Sequence, residues 1–389
     1  MSAELNRLPR DQIIPREAWD LAPWNRLTFQ RVREFVPTTV VRRAANPSPL
    51  IDDLRDLVSI PFESDGLRST VGEFLESSET DGFMILHRGR AAAEYYSNGM
   101  TARTPHLSQS VAKSIVGSVA GILTSRGMLD TAAPVTHYLP DLRETAYRGA
   151  TVQHVLDMTS GVAWDETYTT PDSDCARIDA ASGWKPAKDP TWPRCMWELV
   201  LTLTKADGPH GRIFSYRSIE TDVLGFILQQ VSGLPLAELV SQALWEPMGA
   251  EEDAYFTVDA AGFACGCGGF NATLRDYARF AWLWANNGRI AERQVLPESW
   301  IEATRTAPHS LFQGGYRNVL PQGGYHNQLW VEDENRRVLI ARGVFGQLIY
   351  MDPEAEFAGV KLSSWPEFLN DAKTRKALAA MRAIRDSLR

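Results

Sequence analysis

A chain of 389 residues with 44% hydrophobic and 23% charged side chains has the material for a large buried core and about two or three domains. Its net charge of -8 and the lack of any basic run argue against a nucleic-acid partner, whose phosphates would need a positive face. No stretch approaches the length of a membrane span, and residues 1–20 carry no apolar segment of the secretory kind, so a cytoplasmic protein with no membrane partner is expected. Four cysteines, Cys175, Cys195, Cys265 and Cys267, are too few for a disulfide framework in so long a chain. Cys265-Gly266-Cys267 lacks the spacing of a zinc pair and a nearby histidine, and reads as small buried thiols.

Residues 1–65, rich in Pro, Arg and Asp, read as an extended arm over the surface. Leu67, Val71, Phe74 and Leu75 then make one helical stripe. Apolar runs at 82–88 and 92–96 around a turn at Gly89 predict a β-hairpin, hence antiparallel pairing and not a doubly wound parallel sheet. Next, Val111, Ile115, Val119 and Ile122 recur with helical spacing up to a stop at Arg126-Gly127, with Ser108 as the expected N-cap. Three residues apart on that helix, Ser110 and Lys113 share a face, as a serine nucleophile and its base must. A lysine there would be poorly hydrated and inclined to lose its proton. The competing reading is a capped helix whose lysine reaches solvent. Spacing alone does not choose, since Ser182-Gly183-Trp184-Lys185 repeats it in a stretch rich in Gly, Trp and Pro.

Helical patterns dominate 108–306, most clearly at 221–231, 236–245 and 274–285, with Gly233 and Gly249 at helix ends. Between them 159–194 forms a long stretch of Asp, Thr, Pro, Gly and Trp, the candidate substrate-facing lid. Strands return at 325–331, 338–342, 348–351 and 357–363, and a last helix shows the apolar face Leu378, Met381, Ile384 and Leu388. The expected fold class is α+β: an antiparallel sheet flanked by helices, built from 66–107 and 307–389. A mainly helical part, 108–306, is inserted, and the N-terminal extension 1–65 packs on the α/β part.

Several motifs resemble the serine β-lactamase and penicillin-binding protein superfamily, in particular its class C β-lactamase-like branch with the related esterases. Ser110-Val111-Ala112-Lys113 resembles the first family motif, and Tyr216-Arg217-Ser218 the tyrosine motif, though with Ser where the β-lactamases usually have Asn. Tyr138-Leu139-Pro140, the segment from Val155 to Gly161, and Glu246-Pro247-Met248-Gly249 resemble further segments of this branch. The third motif, usually Lys-Thr-Gly on an edge strand, falls at Ala341-Arg342-Gly343 when aligned on Tyr350-Met351-Asp352-Pro353. Its missing lysine and hydroxyl, groups that would engage a substrate carboxylate, imply another substrate; its glycine suits a strand approached by a ligand. Within the superfamily the chain is most similar to the 6-aminohexanoate-dimer (nylon-oligomer) hydrolases, from Asn25-Arg26 and Val36-Pro37, through Tyr168, Asp179 and Ser182-Gly183-Trp184, to the segment from Val360 to Pro366.

The resemblance implies the β-lactamase/transpeptidase-like fold and a cofactor-free, metal-free serine hydrolase of a small amide or ester. Ser110 would attack a carbonyl while Lys113 and Tyr216 share its proton, and the backbone N–H groups of Ser110 and Val344 would hold the oxyanion. Without the resemblance Tyr216 reads as a core tyrosine. Substrate contacts are expected from Tyr168, Asp179, Trp184 and Gly343. Asp179 is either an acid facing a substrate ammonium or a solvated loop acid, and Trp184 either walls the acyl chain or plugs the lid. Linear amides such as 6-aminohexanoate dimer are the first expectation and carboxylesters the second, with β-lactam or peptide substrates behind. A non-catalytic ligand sensor on the same fold would have no need of both Lys113 and Tyr216. A metal hydrolase lacks its ligand spacing among seven scattered histidines, and the Gly-x-Ser-x-Gly of an α/β-hydrolase does not occur. A homodimer is left open.

Overall fold

A computed structural model describes residues 13–306 and 310–389 of the chain. Residues 1–12, the start of the expected arm and of the stretch judged not to be a secretory leader, lie outside the described residues, as do 307–309.

The hairpin expected at 82–96 is present as β1 (Thr80–His87) and β2 (Arg90–Tyr96), turning at Arg88 and Gly89, both at positive φ. It joins four late strands, β3 (Leu329–Asp333), β4 (Val338–Gly343), β5 (Gln347–Asp352) and β6 (Phe357–Ser363). In space the sheet runs Gly324–His326, β3, β4, β5, β6, β1, β2 and Ile51–Asp52, antiparallel throughout except for the last pair. Alternate side chains feed two cores, as the two-residue period of a strand requires. Leu339, Ala341, Ile349, Met351 and Val360 face a core shared with the helices α1 (Val111–Ser125), α2 (Ile219–Ser232) and α3 (Leu274–Ala285). Ile340, Leu348, Tyr350 and Phe357 face the C-terminal helix α4 (Asp371–Ser387) through Leu378, Met381 and Ile384. Coverage of both faces is why β5 and β6 are buried along their whole length. The α+β class with an antiparallel sheet flanked by helices is the observed one.

The structure departs from the sequence reading in several places. A second, four-stranded antiparallel sheet, in the order Thr38–Val41, Ala254–Thr257, Phe270–Thr273 and Pro105–Leu107, draws two strands from the segment read as helical. Both strands are four residues long and wholly buried, so they show no alternation. The arm is not a surface wrap: Trp19, Phe29 and Val32 are fully buried against Trp184, Tyr255, Phe345 and Trp365. Leu67, three-quarters exposed, belongs to a hairpin strand (Leu67–Thr70) and not to the following helix Val71–Ser77, which starts at a Thr70–Glu73 capping box. The single strand expected at 325–331 is two strands turning at Asn327 and Gln328, both at positive φ. The stretch 236–245 begins as helix Leu236–Val240 and widens into a π turn, Ser241–Trp245. The lid at 159–194 holds a helix of its own, Asp174–Ala181, capped by Ser173.

No single helix among the described residues is long and apolar enough to cross a membrane. The bent pair of α2 with 236–245 meets that test on length and composition, and its apolar residues are core residues here.

Candidate active site

The chain leaves the strand Pro105–Leu107 and enters α1 through a turn that makes Ser110 the N-cap. Ser108, the expected cap, is used elsewhere, because both its N–H and its hydroxyl donate to the carbonyl of Phe270, each at 3.0 Å. Gln109 takes φ 51, a left-handed conformation that costs a non-glycine residue about 1–2 kcal/mol and delivers Ser110 to the helix mouth. Ser110 makes no capping bond with its hydroxyl. Instead Oγ accepts from Lys113 Nζ at 2.9 Å, one helical turn on. Lys113 is 1% exposed, donates also to the Cys267 carbonyl at 2.6 Å, and has its Nζ 5.1 Å from the centre of the Tyr216 ring. The Tyr216 ring in turn stacks on Trp330 at 5.2 Å, and its backbone N–H donates to the Tyr316 hydroxyl.

Lys113 was expected to lose its proton, and its surroundings favour the opposite. Burial pushes its pKa down, yet the neighbouring Tyr216, Cys267 and Glu166 outweigh that and carry it above the ordinary lysine value. Burial raises Tyr216 as well, against the lowering pull of Lys113 and of hydrogen bonds to Ser110 and Lys113. Each side chain thus favours the charged form of the other, and the two titrate as a coupled pair.

Gly343 and Val344 approach Ser110 from the end of β4. That strand is internal, between β3 and β5, and not an edge strand as expected. Its pairing with β3 stops at Ile340, however, so Ala341-Arg342-Gly343 runs on with a neighbour only on the β5 side. The glycine lines the wider cavity and has a further, steric reason: a Cβ there would lie 2.4 Å from the Ser108 carbonyl oxygen and 3.0 Å from Gln109 Cβ. It is the turn leading into Ser110 that passes this close. The following loop is clasped by Gln347, whose Nε2 donates to the Ser363 carbonyl at 2.6 Å and whose Oε1 accepts the Ser363 N–H at 3.0 Å. The backbone N–H of Val344 thus sits on a braced turn beside the start of α1, where a helix mouth favours developing negative charge.

Ser110, Tyr168 and Val344 line two cavities and mark their junction. The narrow one, about 60 Å³, is walled by Ile178, Trp184, Phe345 and Phe368 and ends at Asp179 and Asp20. The wider, about 480 Å³, is bounded by Glu166, Tyr216, Tyr316, Trp330, Arg342 and Gly343. Of the expected substrate residues, Trp184 is a wall pinned by its indole N–H to Thr257 Oγ1 at 2.9 Å. Tyr168 donates to Glu166 Oε1 at 2.8 Å and stacks on Phe368. Asp179 is partly exposed but not free: Lys185 Nζ bridges it, at 2.8 Å, to Asp20 at 3.0 Å. Burial pushes the Asp20 pKa up to about 6, against the pull of Lys185, and burial raises Asp179 too. Two carboxylates on one ammonium leave a net negative charge, and buried Asp20 Oδ1 has no hydrogen-bond partner among the described residues.

Sequence reasoning missed Asp20, which arrives from the arm, and Glu166. Both Glu166 oxygens are taken: by Tyr168 and the Ser218 hydroxyl on one, and by the Trp164 indole and the Ser218 backbone N–H on the other. Glu166 therefore ties the lid to the segment that carries Tyr216. Its signal was an acid two residues before a lid tyrosine, with no period to mark it. The buried group Asp222, Cys265 and Cys267 has metal-ligand chemistry, its donor atoms all within 4.8 Å of one another. Asp222 Oδ1 already accepts the N–H groups of Gly266 and Cys267, which shapes the loop whose carbonyl holds Lys113.

The profile of the β-lactamase family matches residues 67–383, most of the chain. The chain belongs to the β-lactamase family. Within it, the chain is similar to the 6-aminohexanoate-dimer hydrolase of Paenarthrobacter ureafaciens, 34% identical over 356 residues, covering 90% of this chain and 88% of the relative. A solved structure from Bacillus anthracis, assigned as a 6-aminohexanoate-dimer hydrolase, superposes with a TM-score of 0.89 at 27% identity over 98% of this chain and 99% of its own. Esterase EstB of Burkholderia gladioli is 25% identical over 229 residues, 55% of this chain and 51% of that one. The β-lactamase-type fold and a hydrolytic enzyme are thus common ground with these relatives.

Proposed function

We propose that this β-lactamase-family chain hydrolyses small linear amides of the 6-aminohexanoate-dimer type through an acyl-enzyme on Ser110. The observation that carries the reading is the 2.9 Å contact of Ser110 Oγ with a buried Lys113, at the point where an acid-ended cavity meets an open one. A linear substrate lies through both cavities with its carbonyl at their junction. Its oxygen accepts from the N–H groups of Ser110 and Val344, and Ser110 Oγ attacks the carbon.

The proton accounting follows from the two pKa directions. Since Lys113 and Tyr216 titrate as a coupled pair with both values raised, the pair takes the proton of Ser110 from its singly deprotonated form. It then returns the proton to the leaving amine as the tetrahedral intermediate collapses. A water, activated by the same pair, releases the acyl group. An ammonium at the far end of the acyl chain is met by Asp179 and Asp20, whose joint charge Lys185 only half cancels. The name of the 34% identical relative supports this substrate class.

Ester cleavage is the second reading, favoured by the likeness to EstB, and it needs only the nucleophile, its base and the oxyanion site. Our reading keeps the expectations of a cytoplasmic enzyme acting on a small molecule and of a helical part, 108–306, set into the α/β part. The test is free-amine release from linear 6-aminohexanoate dimer by the purified protein, beside a short-chain ester, with Ser110→Ala as control. Amine release that depends on Ser110 is the expected result. Ester cleavage without amine release moves the protein to the esterases, and amine release by Ser110→Ala refutes the mechanism.

A further inference from the structure

Arg342 has no assigned task in the mechanism above, and its surroundings suggest one. It stands in the segment of β4 that runs past its β3 neighbour and lines the wide cavity with Tyr216 and Trp330. Its guanidinium lies 5.3 Å from the centre of the Trp330 ring, which orients it, and among the described residues it donates to no protein acceptor and forms no ion pair. Most other arginines lining the core spend their donors: Arg217 on three backbone carbonyls, Arg279 on Asp276 and Glu251, Arg385 on Asp352 and Asp386. Two acids share the cavity with Arg342. Glu166 is saturated by its four donors, and Asp371 stands exposed at the rim, in the first turn of α4.

Which half of the substrate enters this cavity follows from the proton path. The leaving nitrogen must receive its proton from the Lys113 and Tyr216 pair, and Tyr216 lines the wide cavity but not the narrow one. The leaving group therefore points toward Arg342, and the acyl chain toward Asp179 and Asp20. We propose that Arg342 is a specificity-determining residue that grips a carboxylate at the far end of the leaving group, so that the site selects linear substrates with a cation on the acyl side and an anion on the leaving side. This rests on the amide-hydrolase reading for its direction along the cleft, and it adds the leaving-group preference that reading lacks. A planar guanidinium with open donors, placed over an indole ring, is the group suited to bidentate contact with a carboxylate.

The experiment compares kcat/KM for two amides of 6-aminohexanoate, one releasing 6-aminohexanoate and the other its uncharged 6-aminohexanamide counterpart. The corresponding pair of 6-hydroxyhexanoate and 6-hydroxyhexanamide esters is run alongside. Wild type is expected to favour the carboxylate member by about tenfold or more, as a charge-assisted contact in a partly exposed site allows. Arg342→Gln should bring the ratio to about one while turnover of the uncharged member stays within about threefold. Arg342→Lys should keep part of the preference, and hexanoate should inhibit wild type more strongly than Arg342→Gln. Equal rates for both members in wild type, or an equal loss on both in Arg342→Gln, overturn the assignment. If the amides are inert and the esters turn over, the amide reading fails while the ester pair still decides the role of Arg342. If neither is cleaved, hexanoate binding measured by calorimetry decides it, with undiminished binding to Arg342→Gln counting against.

Discussion

Replacing Gly343 with alanine puts a methyl carbon 2.4 Å from the Ser108 carbonyl oxygen, about 1 Å inside the 3.4 Å at which ordinary contact begins. Neither partner yields easily. Ser108 is fixed by two hydrogen bonds to Phe270, and β4 is held at this end by the Gly343 to Gln347 pairing and the Gln347 to Ser363 clasp. The shift must therefore fall between the Ser110 turn and the Val344 N–H, the two halves of the proposed oxyanion site. A displacement near 1 Å in a catalytic constellation costs about 10²-fold, and loss of one oxyanion donor about 10²–10³-fold. Overpacking of this kind destabilises by about 1–3 kcal/mol. The expected result is kcat down at least a hundredfold on a short-chain ester, KM little changed, and a melting temperature lowered by only a few degrees. A folded Gly343→Ala enzyme with kcat within threefold of wild type would show that the two backbones do not need this closeness and would refute the oxyanion assignment.

Ser110→Ala should abolish turnover, and Tyr216→Phe should lower kcat by about 10²–10⁴-fold with the circular dichroism spectrum unchanged; full activity in either removes the mechanism. Since Lys113 and Tyr216 are both raised and one proton must leave the pair, kcat/KM should climb with pH from neutral into the alkaline range, and a profile flat above pH 6 would contradict that accounting. Asp179→Ala, and Asp20→Asn beside it, should weaken turnover of the aminohexanoate amide more than that of an uncharged ester, and equal losses would refute the ammonium role. Burial raises Glu220 from 4.5 to about 8, against the lowering pull of Arg217 and Ser160. The folded state then holds a proton that the unfolded chain releases, so its contribution to stability is present below about pH 4.5 and lost as pH rises toward 8. Glu220→Gln should flatten the decline in melting temperature over that interval, and an unaltered slope would place the proton elsewhere.

The hairpin, the late strands and the helix that follows Ser110 were legible because each keeps one period over many residues. The Ser110 and Lys113 pair was legible because one helical turn brings its members together. The four-stranded sheet was not, since strands as short as 254–257 and 270–273 are buried on every side and carry no alternation. Nor was the state of Asp179, which depends on Lys185 nearby and on Asp20 some 160 positions earlier in the chain. The sign of the Lys113 shift was misjudged because burial alone was weighed, whereas Tyr216 and the Cys267 loop come from elsewhere in the sequence. Arg342 was read as a departure from a motif and not as a group in its own right.

The arm carries Asp20 into the lining of the narrow cavity, and two bonds lock it there: the Trp19 indole N–H to the Trp184 carbonyl at 2.8 Å, and Asn25 Nδ2 to the Trp365 carbonyl at 2.7 Å, across 340 positions. Contacts of that span close late in folding, because the loop entropy must be lost before they form. A newly made chain would thus have Ser110 and Lys113 assembled while the proposed acyl-binding end was still open. For protein engineering the consequence is asymmetric: changes around Trp19 and Asp20 reach into the proposed acyl-side pocket, although Asp20 lies 90 positions before Ser110 in the chain.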